Sequence, residues 1–157
     1  NLPKFDFLIG SIHFIDGAAI DLDKDYYINK DINKIYRDYF DLEKKMVASH
    51  LFDVIGHPDL IRIFDFYPNG TLFEELCDDF ARFLKLNNQK TENNSGLIRH
   101  GYPYPGLSPL MLNSLLKYDV KFNKSSDAHV AEDIGRAFDK IIENNYYIKH
   151  NIIIIKI

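Results

Sequence analysis

Asp127 and His129 lie two residues apart in the segment Ser125-Ser126-Asp127-Ala128-His129. On an extended backbone, side chains at that spacing project from the same side. A carboxylate and an imidazole so placed can share one metal ion, with bonds of about 2.0–2.2 Å where the ion is zinc. Two further histidines close apolar runs: Phe5 to Ile12 stops at His13, and Phe52 to Gly56 stops at His57. A single histidine is a weak signal, because a hydrogen-bonded histidine at the edge of a core is equally natural. Three strand ends closing on histidine, one of them as Asp-x-His, favour a joint metal site at His13, His57, Asp127 and His129. His50, His100 and His150 read as surface or structural residues.

Arg99 is the one arginine in the loop from Ser95 to Gly106. It is either a surface ion pair worth about 0–1 kcal/mol or a guanidinium fork that grips phosphate oxygens in a bidentate manner, which lysine cannot reproduce. Glu92, with Asn94 and Ser95 beside it, is either an ordinary turn residue or a group facing a bound phosphate ester. Cys77 lies within an expected helix and reads as core.

These residues need a scaffold that brings distant strand ends together. Lys4 to Ile12 is apolar at nearly every position, as a strand buried on both faces would be. Asp16-Gly17 marks a turn. Asp31 is an N-cap for a helix to Ser49, in which Ile35, Tyr36, Tyr39, Met46 and Val47 recur at helical spacing. Leu51 to Ile55 is the next strand, closed by Gly56-His57-Pro58. Thr71 with Glu74 forms a capping box for a helix to about Leu86. A weaker, polar strand follows from Gln89 to Asn93, and the loop from Ser95 to Gly106 is expected to lie irregularly on the surface. Ser108-Pro109 opens a short helix to Lys117, and Tyr118 to Lys124 is the strand that delivers Asp127 and His129. A helix from Ala131 to Asn144 and a last strand from Tyr147 to Ile157 complete the alternation. That order implies an α/β fold of parallel βα repeats with right-handed crossovers. The intervals between His13, His57, Glu92 and Asp127 are 44, 35 and 35 residues, each suited to one βα unit. Every one of these residues falls at the C-terminal end of a strand, where barrel enzymes place their chemistry.

A chain of 157 residues supports one domain with a real core, here residues 1–157. A net charge of −4 offers no electrostatic argument for a nucleic-acid partner or an anionic membrane surface. The single cysteine excludes an internal disulfide and fits a reducing cytoplasm. The apolar run Ile152 to Ile155 is far too short to span a bilayer.

Four segments, taken together, resemble a known family in order and spacing. They are Phe7-Leu-Ile-Gly-Ser-Ile-His13-Phe-Ile-Asp-Gly17, Phe52-Asp-Val-Ile-Gly-His57-Pro-Asp-Leu60, Glu92-Asn-Asn-Ser-Gly-Leu97 and Ser126-Asp-Ala-His129. They are similar to the later motifs of the PHP-family histidinol-phosphatases, from about Phe5 to Glu143. The resemblance implies a distorted (β/α)7 TIM-like barrel holding two or three divalent ions (zinc, manganese or iron), with His13, His57, Asp127 and His129 as ligands. It implies a phosphate contact at Arg99 and substrate-facing positions at Ser11 and Asp16. It also implies the hydrolysis of L-histidinol phosphate in histidine biosynthesis, with a metal-bound hydroxide as nucleophile and no side-chain nucleophile.

The family pattern begins with a His-x-His motif, a further histidine and a glutamate ligand, and this sequence has no His-x-His. The resemblance therefore describes a partial PHP-like barrel without its N-terminal strands, whether fragment or degenerate relative. The alternative readings are a non-catalytic metal- or phosphate-binding module, a piece of a larger assembly, or a PHP phosphoesterase with a different substrate. An open sheet edge at Lys4–Ile12 is expected to invite self-association.

Overall fold

The computed structural model describes residues 6–101 and 105–141. Four strands form a parallel sheet in the order β1 (Ile9–Gly10), β4 (Val54–Ile55), β5 (Lys90–Asn94) and β6 (Phe122–Ser125). Between β1 and β4 the chain makes an antiparallel hairpin of β2 (Phe14–Ile15) and β3 (Ala18–Ala19), which turns at Asp16-Gly17. Helices α1 (Ile32–Ala48), α2 (Leu72–Leu86) and α3 (Pro109–Lys117) provide the crossovers. The architecture is the parallel βα repeat of a partial barrel.

Local chemistry accounts for the helix starts. Asp31 accepts a hydrogen bond from the Lys34 amide at 3.1 Å, which satisfies one of the free N–H groups of the first turn of α1. Ser108 does the same for Met111 at 3.2 Å, with Pro109 at the first position of α3. The expected capping box at α2 does not form. Thr71 donates its hydroxyl to the Glu75 carboxylate at 2.6 Å and caps no amide.

The core lies between the helices and one face of the sheet, where Tyr36, Tyr39, Phe40, Phe80, Leu84, Met111 and Leu115 are buried. Aromatic rings meet edge to face along the α1–α2 contact, with Phe40 and Phe80 centroids 5.7 Å apart.

Three further expectations fail for identifiable reasons. The first strand is not buried on both faces: Phe7 and Ile9 are 60% and 48% exposed, because β1 is an edge strand paired only with β4 among the described residues. The loop after Ser95 is not superficial. Residues Gly96–His100 form a 3-10 turn, and Leu97 packs on Leu60 and Ile63. No helix runs from Ala131 as far as residue 141. A 3-10 turn at Ala131–Asp133 gives way to turns with Gly135 and Ala137 at φ +73° and +59°, outside the right-handed helical region. The freed backbone groups bond elsewhere: Ser95 and Lys124 donate to the Arg136 and Phe138 carbonyls, and the Gly135 amide donates to Ser126. The end of that expected helix and the expected strand Tyr147–Ile157 lie outside the described residues.

Candidate active site

Parallel strands deliver their C-terminal ends to one edge, and the candidate residues follow β1, β4, β5 and β6 there. His13 and His57, 44 positions apart in sequence, meet edge to face with ring centroids 4.9 Å apart. His13 Nδ1 lies 2.8 Å from Asp21 Oδ2. A carboxylate at Nδ1 orients the ring with Nε2 pointing away from it, the partnership typical of metal-ligating histidines. Asp21 sits just past the hairpin, and the sequence reading missed it. Its only signal was its place eight residues after His13.

His57 is 7% exposed, and its Nδ1 is a buried nitrogen with no hydrogen-bond partner. Burial, and secondarily the neighbouring His13, push its pKa below the ordinary value. The ring is therefore neutral at pH 7, the form that can ligate a metal. The nearby carboxylates of Glu92 and Asp127 act in the opposite direction, which places both within electrostatic reach of the ring.

Glu92 is buried and accepts from the His57 amide at 2.9 Å and from Asn94 Nδ2 at 2.6 Å, both on Oε1. Close packing at this edge depends on two glycines. A Cβ on Gly56 would collide with Ser11 Oγ, and one on Gly96 would sit 2.8 Å from Asn94 Oδ1 and 3.1 Å from Asp127 Oδ2.

The Asp-x-His pair is not extended. Asp127 has φ +48°, so the two side chains do not share one strand face. Both residues are exposed, and His129 is held through Nδ1 by the Asp127 carbonyl at 2.9 Å. Arg99 spans this turn: it pairs with the Asp127 carboxylate at 3.0 Å, donates to the Asp127 and Ser126 carbonyls, and lies 3.9 Å from Asp133. Asp16 sits apart in the hairpin turn, lining a hollow of about 330 Å³ with Tyr26, Lys34 and Asp38.

The donor types suit a divalent ion. They comprise a neutral, unpartnered buried imidazole, a second imidazole oriented by a carboxylate, and a carboxylate at the next strand end. The structure brings the His13 and His57 rings together, holds Glu92 against the His57 amide and places Asp127 within electrostatic reach of the His57 ring. Among the described residues no group of three or more His, Cys, Asp or Glu side chains is gathered closely enough to hold a metal ion.

No protein-family profile matches the chain. A protein of Deinococcus radiodurans named "Probable histidinol-phosphatase" is 28% identical over 137 residues, covering 85% of this chain and 51% of the relative. The histidinol-phosphatase of Saccharomyces cerevisiae is 24% identical over 169 residues, covering 86% and 50%. This chain thus spans about half the length of the curated relatives it matches. Among solved structures, a protein described as the histidinol phosphatase HisK of Listeria monocytogenes superposes with a TM-score of 0.72 at 18% identity, covering 85% of this chain and 57% of that one. The histidinol phosphate phosphatase of Lactococcus lactis, solved with zinc, L-histidinol and phosphate, gives a TM-score of 0.58 at 20% identity, covering 87% and 56%.

The class the fold defines is a partial α/β barrel of parallel βα repeats, the fold of these solved histidinol phosphatases. Both sequence relatives are named for one activity, histidinol phosphatase, and the chain is similar to them at 28% and 24% identity.

Proposed function

We propose that the chain, as a single PHP-like barrel domain, forms part of a metal-dependent phosphomonoester hydrolase that converts L-histidinol phosphate and water to L-histidinol and phosphate. The observation that carries this reading is the buried, unpartnered imidazole of His57 against the ring of His13 at the C-terminal strand edge. Two sequence relatives named for the same activity support it.

His13, His57, Asp127 and His129 would hold the ions, of which there are two or three in this reading. Zinc, manganese or iron suits imidazole and carboxylate donors. Such ions, when bound, lower the pKa of water and neutralise charge on the transferring phosphoryl group. Asp21 fixes the His13 ring, and burial keeps His57 unprotonated. Arg99 brings a planar fork to the phosphate oxygens, exchanging its Asp127 contact for them. Ser11, near Glu92 at Gly56, faces the substrate, whereas Asp16 lies apart in the hairpin turn. No side chain serves as nucleophile: Cys77 is fully buried in α2, and burial pushes its thiol well above the usual range.

One observation favours a second reading, a non-catalytic metal- or phosphate-binding module. Asp127 already has Arg99 as its cation, and the candidate ligands stand in pairs. Phosphate release from L-histidinol phosphate, measured with and without added Zn²⁺ or Mn²⁺ and in His57→Ala, separates the two. Turnover that needs the metal and vanishes in the variant supports the enzyme. Metal binding without turnover supports the module.

A further inference from the structure

His57 is the buried centre of the site, and its backbone is held on both sides. It is a non-glycine residue at φ +25°, a region L-residues seldom occupy. Its amide donates to Glu92 Oε1 at 2.9 Å, and its carbonyl accepts from the Leu60 amide at 3.0 Å, with the Tyr39 hydroxyl at 3.4 Å. Its ring Nδ1, by contrast, has no partner. The protein bonds the peptide and leaves the imidazole nitrogen unbonded.

Glu92 is itself fixed. Its Oε1 takes a second buried donor, Asn94 Nδ2 at 2.6 Å, while Asn94 Oδ1 takes the Gly96 amide at 2.6 Å. Glu92 and Asn94 are 4% and 5% exposed, so solvent does not compete for these bonds. A chain of hydrogen bonds thus runs from the Gly96 turn through Asn94 and Glu92 to the peptide of His57. It ties the end of β5 to the end of β4.

We infer that Glu92, held by Asn94, is a positioning residue: it clamps the His57 peptide in its left-handed conformation and so sets the imidazole for a divalent ion. This rests on the reading of His57 as a metal ligand. Outer partners of a metal ligand contribute through geometry, and losing one typically costs about 10–100-fold in metal affinity. The required feature of Glu92 is an acceptor oxygen for two donors, and its negative charge is secondary.

Glu92→Ala and Glu92→Gln separate these contributions, because Gln keeps an acceptor oxygen and removes the charge. Two readouts apply to the purified chain: zinc affinity by competition with a chelating dye, and hydrogen exchange of the His57 amide. Glu92→Ala should weaken zinc about 10–100-fold and speed His57 exchange about tenfold or more, while Glu92→Gln stays within about threefold on both. Asn94→Ala should move both readouts in the same direction as Glu92→Ala, and it carries the test if Glu92→Ala does not fold. The inference is overturned if the His57 amide exchanges at the wild-type rate in Glu92→Ala or, failing that variant, in Asn94→Ala. It is overturned equally if Glu92→Gln loses zinc as fully as Glu92→Ala, which would make the carboxylate charge itself the ligand. A wild-type chain that binds no zinc removes the metal reading, and the exchange rates still decide whether the clamp exists.

Discussion

Glu43 on α1 is fully buried, and neither carboxyl oxygen has a hydrogen-bond partner. Burial raises its pKa well above the ordinary value; Tyr39 opposes that shift and the charge of Asp59 adds to it. The folded state therefore holds a proton that the unfolded chain releases above about pH 4.3. Its contribution to stability is complete in acid and is lost as pH rises towards the folded pKa, at about 1.4 kcal/mol per pH unit. Glu43→Gln removes that dependence, so its stability advantage in urea denaturation should grow from pH 5 to pH 8. An equal difference at both pH values would show that Glu43 is charged in the fold. Arg99 poses a second question at this scale. Arg99→Lys keeps the charge but loses the fork, and should raise KM for a phosphate ester about tenfold or more if the guanidinium grips phosphate. Unchanged kinetics would leave it as the ion partner of Asp127.

At the scale of elements, the glycine after β5 is a site constraint visible only in three dimensions. Gly96→Ala places a methyl against Asn94 Oδ1 and Asp127, and should cost about 1–3 kcal/mol in thermal or chemical unfolding. A variant as stable as wild type would mean that the β5 and β6 ends can spread at no cost. What the sequence made legible follows the same logic. Helices α1 and α3 announce themselves through Asp31 and Ser108-Pro109, because caps are local chemistry. His13 and His57 were legible because each closes an apolar run, and Asp127 with His129 because of their two-residue spacing. β5 was legible as a weaker, polar strand, and its burial was not. Its Thr91, Glu92, Asn93 and Asn94 are polar yet buried, since partners on other elements satisfy them, among them the Ile55 carbonyl, the His57 amide and the Leu107 amide. The segment after Ala131 has helical composition, but tertiary hydrogen bonds to Ser95, Lys124 and Ser126 take its backbone groups.

For the whole molecule, the sheet has two edges among the described residues, and β1 is the more apolar one. Phe7 and Ile9 are exposed there. Unpaired backbone beside exposed apolar side chains invites strand pairing with another chain. The 157-residue chain should therefore self-associate with rising concentration in sedimentation experiments, and Ile9→Lys should shift it towards monomer. A monomer at all concentrations would show that the edge is covered. No helix among the described residues is long and apolar enough to cross a membrane.

In the proposed function His13, His57 and Asp127, from three strand ends, serve one metal centre. Zinc-edge anomalous diffraction from crystals grown with zinc tests it most directly. The expected result is an anomalous peak within about 2.0–2.2 Å of nitrogen atoms of His13 and His57, with Asp127 turned from Arg99 towards the ion. A zinc-loaded crystal with no peak at these residues, and His57 Nδ1 still unpartnered, would contradict it.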